Sequence, residues 1–310
     1  MRTLVTGGAG FIGSHLVDAL LARGGTVTVL DDLSSGHERN LEAALDAGAI
    51  LHRTDVRDAE AVAARVAEAR PELVFHLAAQ VDVRVSLRDP AFDARTNVEG
   101  TINVLESARL AASRVVFAST GGAIYGEGAA LPTPEAEPAL PMAAYGQSKL
   151  SAEGYLGLYG RLYGLSSVAL RFGNVYGPRQ DPHGEAGVIA IFCGRLRSGA
   201  APTVYGDGSQ TRDYIYVADL VEAILAAGDA GVTGVVNVGT REETSVLELV
   251  RHLGDLHGPA APEPEFAAAR LGEIDRSCLD PARAREVLGW AARTPIAEGL
   301  RLTYEAAGEG

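Results

Sequence analysis

Short apolar runs alternate with amphipathic stretches through the first two-thirds of the chain. The apolar runs predict strands at residues 3–5, 26–30, 49–52, 73–76, 114–118 and 167–170. Alanine-rich segments with helical periodicity predict helices near residues 59–69 and 94–111. This alternation predicts an α/β fold, a doubly wound parallel (Rossmann) sheet with helices on both faces and a ligand crevice at the carboxyl ends of its strands.

A glycine turn follows the first predicted strand, at residues 6–13 (TGGAGFIG). Gly7 permits a tight turn, Gly10 lets a pyrophosphate approach the backbone, and Gly13 lets the next helix pack against the strand. The helix N-terminus offers unpaired N–H groups and partial positive charge to phosphates. A lone glycine triplet is often an ordinary loop, but here strand, turn and helix occur in the order that a dinucleotide site requires.

An acidic pair, Asp31 and Asp32, ends the second predicted strand, and Asp31 lies 18 residues beyond Gly13. A carboxylate at this distance binds the adenosine ribose and repels a 2′-phosphate, which favours NAD over NADP. Residues at or near the carboxyl ends of further strands are natural contacts for the same cofactor: Asp55, Leu77, Ala78, Ala79, Asn97 and Ser119.

The pattern becomes less regular after about residue 174, where glycine, proline and short helices dominate. We expect residues 1–174 to form the NAD-binding domain, with a return segment at about 213–240. Residues 175–310 would contribute mainly a smaller C-terminal α/β lobe that binds substrate. A chain of 310 residues is long enough for one large core and such a lobe.

Composition narrows the possible partners. A net charge of −13 argues against non-specific binding of nucleic acid, and no apolar run approaches the length of a membrane span. Cys193 and Cys278 are too few for a disulfide framework and lack metal-ligand spacing, so no metal is expected. The N-terminus enters the first strand at once, without the regions of a signal peptide, which favours a cytoplasmic location.

A tyrosine and a lysine four residues apart, Tyr145 and Lys149, lie in the segment 144–149 (AYGQSK). If residues 143–163 form a helix, the two side chains share one face. The lysine ammonium would then lower the tyrosine pKa from its reference of about 10 and make the phenol a base for a sugar hydroxyl. Such a pair also occurs on solvated helix faces, and the glycine turn is what favours the catalytic interpretation.

Seven segments in order carry a family resemblance: residues 6–13, 76–79 (HLAA), 97–101 (NVEGT), 144–149, 171–179 (RFGNVYGPR), 206–208 (GDG) and 211–217 (TRDYIYV). Together they resemble the extended short-chain dehydrogenase/reductase family, and within it the UDP-sugar 4-epimerases. The resemblance implies NAD-dependent epimerisation at C4 of a UDP-hexose, UDP-glucose or UDP-galactose, through a transient 4-keto sugar. Tyr145 would remove the 4-hydroxyl proton, and Lys149 would hold the nicotinamide ribose. Matching positions imply cofactor contacts at Phe11, Ile12, Val56 and Phe172.

The same resemblance implies a homodimer formed through the helices that contain residues 97–110 and 144–162. Periodicity alone does not separate an intersubunit stripe on these helices from a core stripe.

One position departs from the family pattern. Many relatives have a serine or threonine where this chain has Gly121. Thr120 is then the best hydroxyl to bridge the sugar and Tyr145, with Ser119 lining the nicotinamide pocket; alternatively, Thr120 only satisfies a backbone group at a strand end. Family dehydratases carry an Asp-Glu pair here, and Gly121-Gly122 provides neither acid nor base, which argues against dehydration.

The resemblance implies that four residues contact the nucleotide end of the substrate. Arg212 and Arg270 match diphosphate-binding positions, where a guanidinium suits phosphate oxygens. Asn174 matches a contact to the diphosphate or the sugar. Tyr205 would border the uracil, although an aromatic after a strand is more often simply packed.

The identity of the sugar depends on two further arginines. Arg84, in the segment 83–86 (VRVS) that also contains the predicted substrate contact Ser86, falls where relatives place sugar-facing residues, and Arg179 follows a Tyr-Gly-Pro turn. Either would suit a hexuronate carboxylate and make the protein a UDP-glucuronate 4-epimerase; either would equally suit a phosphate or the surface.

Other NAD-dependent UDP-sugar enzymes, including a decarboxylating relative, are more distant alternatives. A non-catalytic NAD-binding regulator would typically have lost Tyr145 or Lys149, and both are present.

Overall fold

A computed structural model describes residues 1–182, 187–269 and 274–308. The strands, numbered in chain order, are β1 (Arg2–Thr6), β2 (Thr26–Asp31), β3 (Ile50–Arg53), β4 (Leu73–His76), β5 (Arg114–Thr120), β6 (Ser167–Phe172), β7 (Asn174–Tyr176), β8 (Thr203–Tyr205), β9 (Thr211–Arg212), β10 (Tyr214–Tyr216), β11 (Gly234–Val238), β12 (Thr244–Ser245) and β13 (Glu265–Ala267). The α-helices are α1 (Phe11–Ala22), α2 (Glu42–Asp46), α3 (Ala59–Ala69), α4 (Val83–Arg88), α5 (Pro90–Ala94), α6 (Gly100–Leu110), α7 (Ala144–Tyr163), α8 (Val188–Arg197), α9 (Val217–Ala230), α10 (Val246–His257), α11 (Ala282–Leu288) and α12 (Ile296–Ala306).

Seven parallel strands form the central sheet in the order β11-β6-β5-β4-β1-β2-β3. Reversal of strand order at β1 and β4 opens a crevice at the carboxyl ends of these strands, the ligand position of a doubly wound sheet. The α/β fold predicted from the sequence is confirmed.

Two apolar layers cover the sheet. On one face, α1 and α9 pack through buried residues such as Leu16 and Leu220. On the other face, α3, α6 and α7 pack through residues such as Val62, Leu105 and Leu156. Because both faces are covered, the strands read as nearly continuous apolar runs in the sequence.

A third apolar cluster forms the smaller lobe. Helices α8, α10 and α12 meet there around buried Phe192, Leu249 and Leu300. Three two-stranded sheets, β7–β10, β8–β13 and β9–β12, surround this cluster. The lobe begins directly after β6, so its first strand starts at the rim of the crevice.

One predicted helix is interrupted. Residues 94–111 were expected to be continuous, but a π-helical turn at Arg95–Glu99 separates α5 from α6. A Cβ at Gly100 would lie 2.8 Å from the Val56 side chain, so the first residue of α6 must be small. The wider turn directs Asn97 into the interior, where it is 1% exposed.

Candidate active site

The glycine turn between β1 and α1 has no room for a side chain at Gly7 or Gly13. Gly7 has φ = +71°, and a Cβ there would lie 2.7 Å from the Ala78 amide nitrogen. A Cβ at Gly13 would lie 2.1 Å from the Gly7 carbonyl oxygen. Gly10 precedes α1, and no side chain caps that helix. The turn therefore leaves a backbone cradle at a helix N-terminus, which fits a pyrophosphate.

Asp31 ties this cradle to the loop that follows β2. Its two carboxylate oxygens accept the N–H groups of Ala9 and Leu33, both at 2.9 Å. Burial raises the pKa of Asp31, and the two backbone hydrogen bonds partly offset that effect. Each oxygen keeps a lone pair for a further donor, so the geometry remains compatible with the predicted ribose contact.

A single cavity of about 1910 Å³ opens at the carboxyl ends of the sheet strands. This volume exceeds the ~300–1,000 Å³ of an ordinary ligand pocket and leaves room for a dinucleotide and a nucleotide sugar together. The predicted site residues that line it are Gly7, Gly10, Phe11, Ile12, Gly13, Asp31, Asp55, Val56, Leu77, Ala78, Ala79, Arg84, Ser119, Thr120, Tyr145, Lys149, Phe172, Asn174, Arg179, Tyr205 and Arg212.

Among the described residues, two predicted site residues do not line this cavity. Ser86 is fully buried, and its hydroxyl donates to the Val83 carbonyl oxygen of its own helix. Asn97 lies behind the wall and exchanges hydrogen bonds with the main chain of Gln80. Arg270 lies outside the described residues.

The candidate catalytic residues meet where β5 ends and α7 begins. Lys149 is 2% exposed, donates from Nζ to the Ala118 carbonyl oxygen at 2.9 Å, and stands 4.7 Å from the centre of the Phe117 ring. Thr120, the last residue of β5, lies beside Tyr145 in the cavity, and its side chain acts to lower the pKa of the Tyr145 hydroxyl. The hydroxyl expected to bridge Tyr145 and a sugar is therefore in contact with the tyrosine.

The structure changes the expectation for the pKa of Tyr145. Burial raises the pKa of Tyr145 to about 12, and only the Thr120 hydrogen bond opposes the rise. Burial also lowers the pKa of Lys149 to about 8, although the carboxylates of Asp93 and Glu153 favour its charged form. The prediction of a lowered tyrosine pKa was wrong for the protein alone, because burial disfavours the charged phenolate and the Asp93 carboxylate acts in the same direction.

Gly121 explains why the family hydroxyl is displaced by one residue. A Cβ at Gly121 would lie 2.5 Å from the Leu279 side chain, which is buried beneath this segment. A serine or threonine at that position would require the Leu279 side chain to move. Thr120 is the neighbouring position with room for a hydroxyl, and it takes the contact with Tyr145.

A buried histidine supports the cavity wall, a role that the sequence did not indicate. Thr101 donates its one hydroxyl proton to the Asn97 carbonyl oxygen at 2.6 Å, so it must accept from His76 Nε2 at 3.0 Å. The other ring nitrogen then accepts from Thr6 at 2.7 Å. Burial lowers the pKa of His76 to about 3, which keeps the ring neutral.

A second missed network lies behind Ser119. The Ser119 hydroxyl donates to Glu153, which also receives Arg171 at 2.6 Å in an ion pair whose side chains are 6–7% exposed. Glu153 follows Lys149 by four residues on α7. A carboxylate one helical turn beyond the lysine was the signal available in the sequence.

The two arginines considered for a sugar carboxylate occupy different surroundings. Arg84 lies on α4 and is exposed at the cavity. Arg179 forms an ion pair with Asp18 of α1 at 2.8 Å. Arg212, at the other end of the cavity, donates to the Thr211 carbonyl oxygen at 2.8 Å.

Among the described residues, no group of three or more His, Cys, Asp or Glu side chains has the arrangement of a metal site. No helix in the described part of the chain has the length and apolar character needed to cross a membrane.

A Rossmann sheet with a glycine turn after its first strand, and a tyrosine–lysine pair facing the same cavity, defines the short-chain dehydrogenase/reductase class of enzymes. Within that class, the chain belongs to the NAD dependent epimerase/dehydratase family, which it matches over residues 3–239. Membership confirms the predicted family and the prediction of NAD as cofactor.

Individual relatives are similar over nearly the whole chain. A UDP-glucose 4-epimerase of Mycolicibacterium smegmatis is 50% identical over 308 residues, 98% of each chain. A crystal structure of a Thermotoga maritima UDP-glucose 4-epimerase with UDP-glucose is 45% identical, covers 99% of this chain and 98% of its own, and superposes with a TM-score of 0.95. A Thermus thermophilus UDP-glucose 4-epimerase in complex with NAD is also 45% identical, with 99% of each chain covered and a TM-score of 0.92.

Proposed function

We propose that this protein is an NAD-dependent UDP-glucose 4-epimerase that interconverts UDP-glucose and UDP-galactose. The observation that carries the proposal is that Thr120, Tyr145 and the buried Lys149 line one cavity together with the glycine turn that forms the dinucleotide cradle. The relatives that are 45–50% identical over nearly the full length are UDP-glucose 4-epimerases, which favours this function over the hexuronate alternative.

Proton transfer at the sugar 4-hydroxyl is the task of the protein side chains. Tyr145 takes this proton, and Thr120 links the sugar oxygen to the tyrosine and donates a hydrogen bond that favours the phenolate. Lys149 contributes a positive charge one turn away. NAD, when bound, supplies the hydride acceptor for C4 and a positively charged nicotinamide ring that further favours the phenolate. After the 4-keto sugar has turned in the cavity, Tyr145 returns the proton.

The opposite end of the cavity suits the nucleotide. We propose that Arg212 and Asn174 bind the diphosphate, with Arg270 as a further candidate and Tyr205 beside the uracil. A guanidinium and a carboxamide are suitable donors for phosphate oxygens in an otherwise acidic protein.

One observation favours a neutral hexose, and a second argues against dehydration. Arg179 is already paired with Asp18, which weakens its case as a partner for a hexuronate carboxylate. Gly121 and Gly122 provide no acid or base for loss of water. Arg84 remains the residue through which a hexuronate would be recognised.

The proposal also covers which parts of the chain bind each ligand and how the chains associate. We propose that residues 1–174 with the return segment at about 213–240 hold NAD, that residues 175–310 mainly bind the UDP-sugar, and that the protein is a cytoplasmic homodimer. Packing of α9 and β11 with the central sheet supports the return segment. Exposed Leu110 on α6 and Leu162 and Tyr163 on α7 support an intersubunit surface on those helices.

Proton NMR of the purified protein with UDP-glucose and, separately, UDP-glucuronate tests this function. We expect the anomeric signal of UDP-galactose to appear and no UDP-galacturonate to form. Formation of UDP-galacturonate alone would transfer the assignment to the hexuronate epimerase, and product from neither sugar, with NAD added, would exclude both.

A further inference from the structure

The cofactor-binding helix α1 is fastened to a loop of the substrate lobe. Phe11, His15 and Asp18 are spaced by four and three residues and therefore share one face of this helix. The rings of Phe11 and His15 meet edge to face at 6.0 Å. Phe11 lines the cavity beside the glycine turn, so this face of α1 begins at the cofactor cradle.

The loop that contacts this face of α1 is the segment 177–180, which directly follows β7 of the smaller lobe. Pro178 accepts from His15 Nε2 through its carbonyl oxygen at 2.9 Å, and Arg179 Nη1 lies 2.8 Å from Asp18 Oδ2. Since a carbonyl only accepts, the proton is on Nε2, and burial lowers the pKa of His15 so that the ring is neutral near pH 7.

The backbone of this loop has positive φ angles at two residues. Arg179 has φ = +66°, which is uncommon for a residue with a side chain. Gly177 has φ = +152°, and a Cβ there would lie 2.5 Å from the Val217 side chain. Such conformations persist where surrounding contacts determine them, and the contacts with His15 and Asp18 are available for that purpose.

Helix α1 and the loop 177–180 line the same cavity. Gly10, Phe11 and Gly13 contribute on the α1 side, and Gly177, Pro178 and Arg179 contribute on the loop side. A dinucleotide pyrophosphate at the N-terminus of α1 would therefore lie between the cradle and this loop. Separation of the two would open that part of the cavity.

We propose that His15 and Asp18 retain NAD without touching it, by fastening the loop 177–180 across the cofactor cradle. Arg179 is thus a positioning residue whose guanidinium is committed to Asp18, rather than a substrate-carboxylate partner. The proposal concerns the cofactor of the family and does not depend on which sugar is epimerised.

The release rate of NAD tests this directly. Protein loaded with carbon-14-labelled NAD is mixed with excess unlabelled NAD, without any sugar, and the bound label is followed with time. We expect His15→Phe, which keeps an aromatic ring but removes the donor, and Asp18→Asn each to accelerate release by about threefold to tenfold, the effect of one hydrogen bond or partly exposed ion pair. Asp18→Asn and Arg179→Gln remove the two members of one ion pair. A protein that carries both substitutions should therefore release NAD no faster than the faster of the two single variants.

A matched control is present on the same helix. Arg23 at the end of α1 pairs with Asp229 at 3.0 Å, exposed and absent from the cavity lining. Asp229→Asn should leave the release rate unchanged. Unchanged release in His15→Phe and Asp18→Asn would overturn the proposal, and so would slower release in Asp18→Asn, because Arg179 would then act on the phosphates directly. Since no sugar is present, neither result bears on the 4-epimerase activity.

Discussion

At the residue scale, the proposed chemistry depends on the hydroxyl of Thr120, which lies one residue before the position where many relatives have a serine or threonine. Leu279 fills the space where a side chain at Gly121 would lie, and Thr120 makes the contact with Tyr145 instead. The sequence allowed Thr120 to be named because only the preceding positions offered hydroxyls. It did not reveal the reason, since Leu279 is 158 residues further along the chain.

The Thr120 hydroxyl should therefore contribute measurably to turnover. Thr120→Val keeps the shape of the side chain and removes the donor to Tyr145, so kcat should fall by roughly 10²-fold, as for loss of a proton-transfer partner. Thr120→Ser keeps the hydroxyl and should retain most of the activity. Steady-state kinetics of both variants, with NAD occupancy measured in parallel, checks this expectation; equal activity of the valine and serine variants would contradict it.

The buried His76 should make stability depend on pH. The unfolded chain binds a proton at this histidine below its ordinary pKa of about 6.5, whereas the folded protein does so only near the lowered pKa of about 3. The free energy of unfolding should therefore fall as pH decreases below 6.5, by up to ~1.4 kcal/mol per pH unit from this residue. Urea unfolding at pH 7.5 and 5.5 checks this, and His76→Gln should show a smaller pH dependence than the unmodified protein.

At the element scale, α7 carries much of the site. Tyr145, Lys149 and Glu153 recur at intervals of four residues and face the sheet, whereas Leu162 and Tyr163 are exposed. Residues 143–163 were expected to be helical, and α7 spans Ala144–Tyr163.

The elements that could be predicted from the sequence were those with strong periodicity, such as α3, whose predicted and observed bounds coincide. The π-helical turn at Arg95–Glu99 could not be predicted, because the sequence pattern indicated only one helix over residues 94–111. Asn97, expected as a cofactor contact, exchanges hydrogen bonds with the main chain of Gln80 and is not among the residues that line the cavity.

The ion pair between α7 and β6 should be essential for stability. Glu153→Gln leaves Arg171 charged and buried without its partner, and loss of one member of such a pair costs ~3–5 kcal/mol of unfolding free energy. The exposed pair Arg65–Glu68 on α3 provides the control, because Glu68→Gln should change nothing measurable. Equal unfolding free energies for the two variants would show that the buried network contributes no more than a surface pair.

At the scale of the whole molecule, two apolar layers hold the sheet, and a separate cluster holds the lobe, with the cavity between them. The chain crosses from sheet to lobe after β6 and returns through α9 to β11. Only the loss of regular pattern after about residue 174 could be predicted from periodicity. The enclosure of the cavity could not, because it depends on contacts between distant segments such as His15 and Pro178.

The proposed dimer belongs to this scale. Leu162 is 61% exposed on α7, and Leu162→Arg should weaken self-association by roughly tenfold or more if α6 and α7 form the interface. Leu256, 37% exposed on the lobe helix α10, is the control, and Leu256→Arg should leave the dimer intact. Sedimentation velocity over a range of concentrations separates these outcomes; loss of the dimer in the Leu256 variant alone would relocate the interface.

The central claim is an internally balanced redox reaction at C4 of a UDP-hexose. The most direct measurement is mass and proton NMR analysis of UDP-galactose formed from UDP-glucose that carries deuterium at C4, in ordinary water. We predict that deuterium is retained at C4 of the product, because the hydride leaves and returns within one closed cavity. Product in which solvent hydrogen replaces the C4 deuterium would contradict the account.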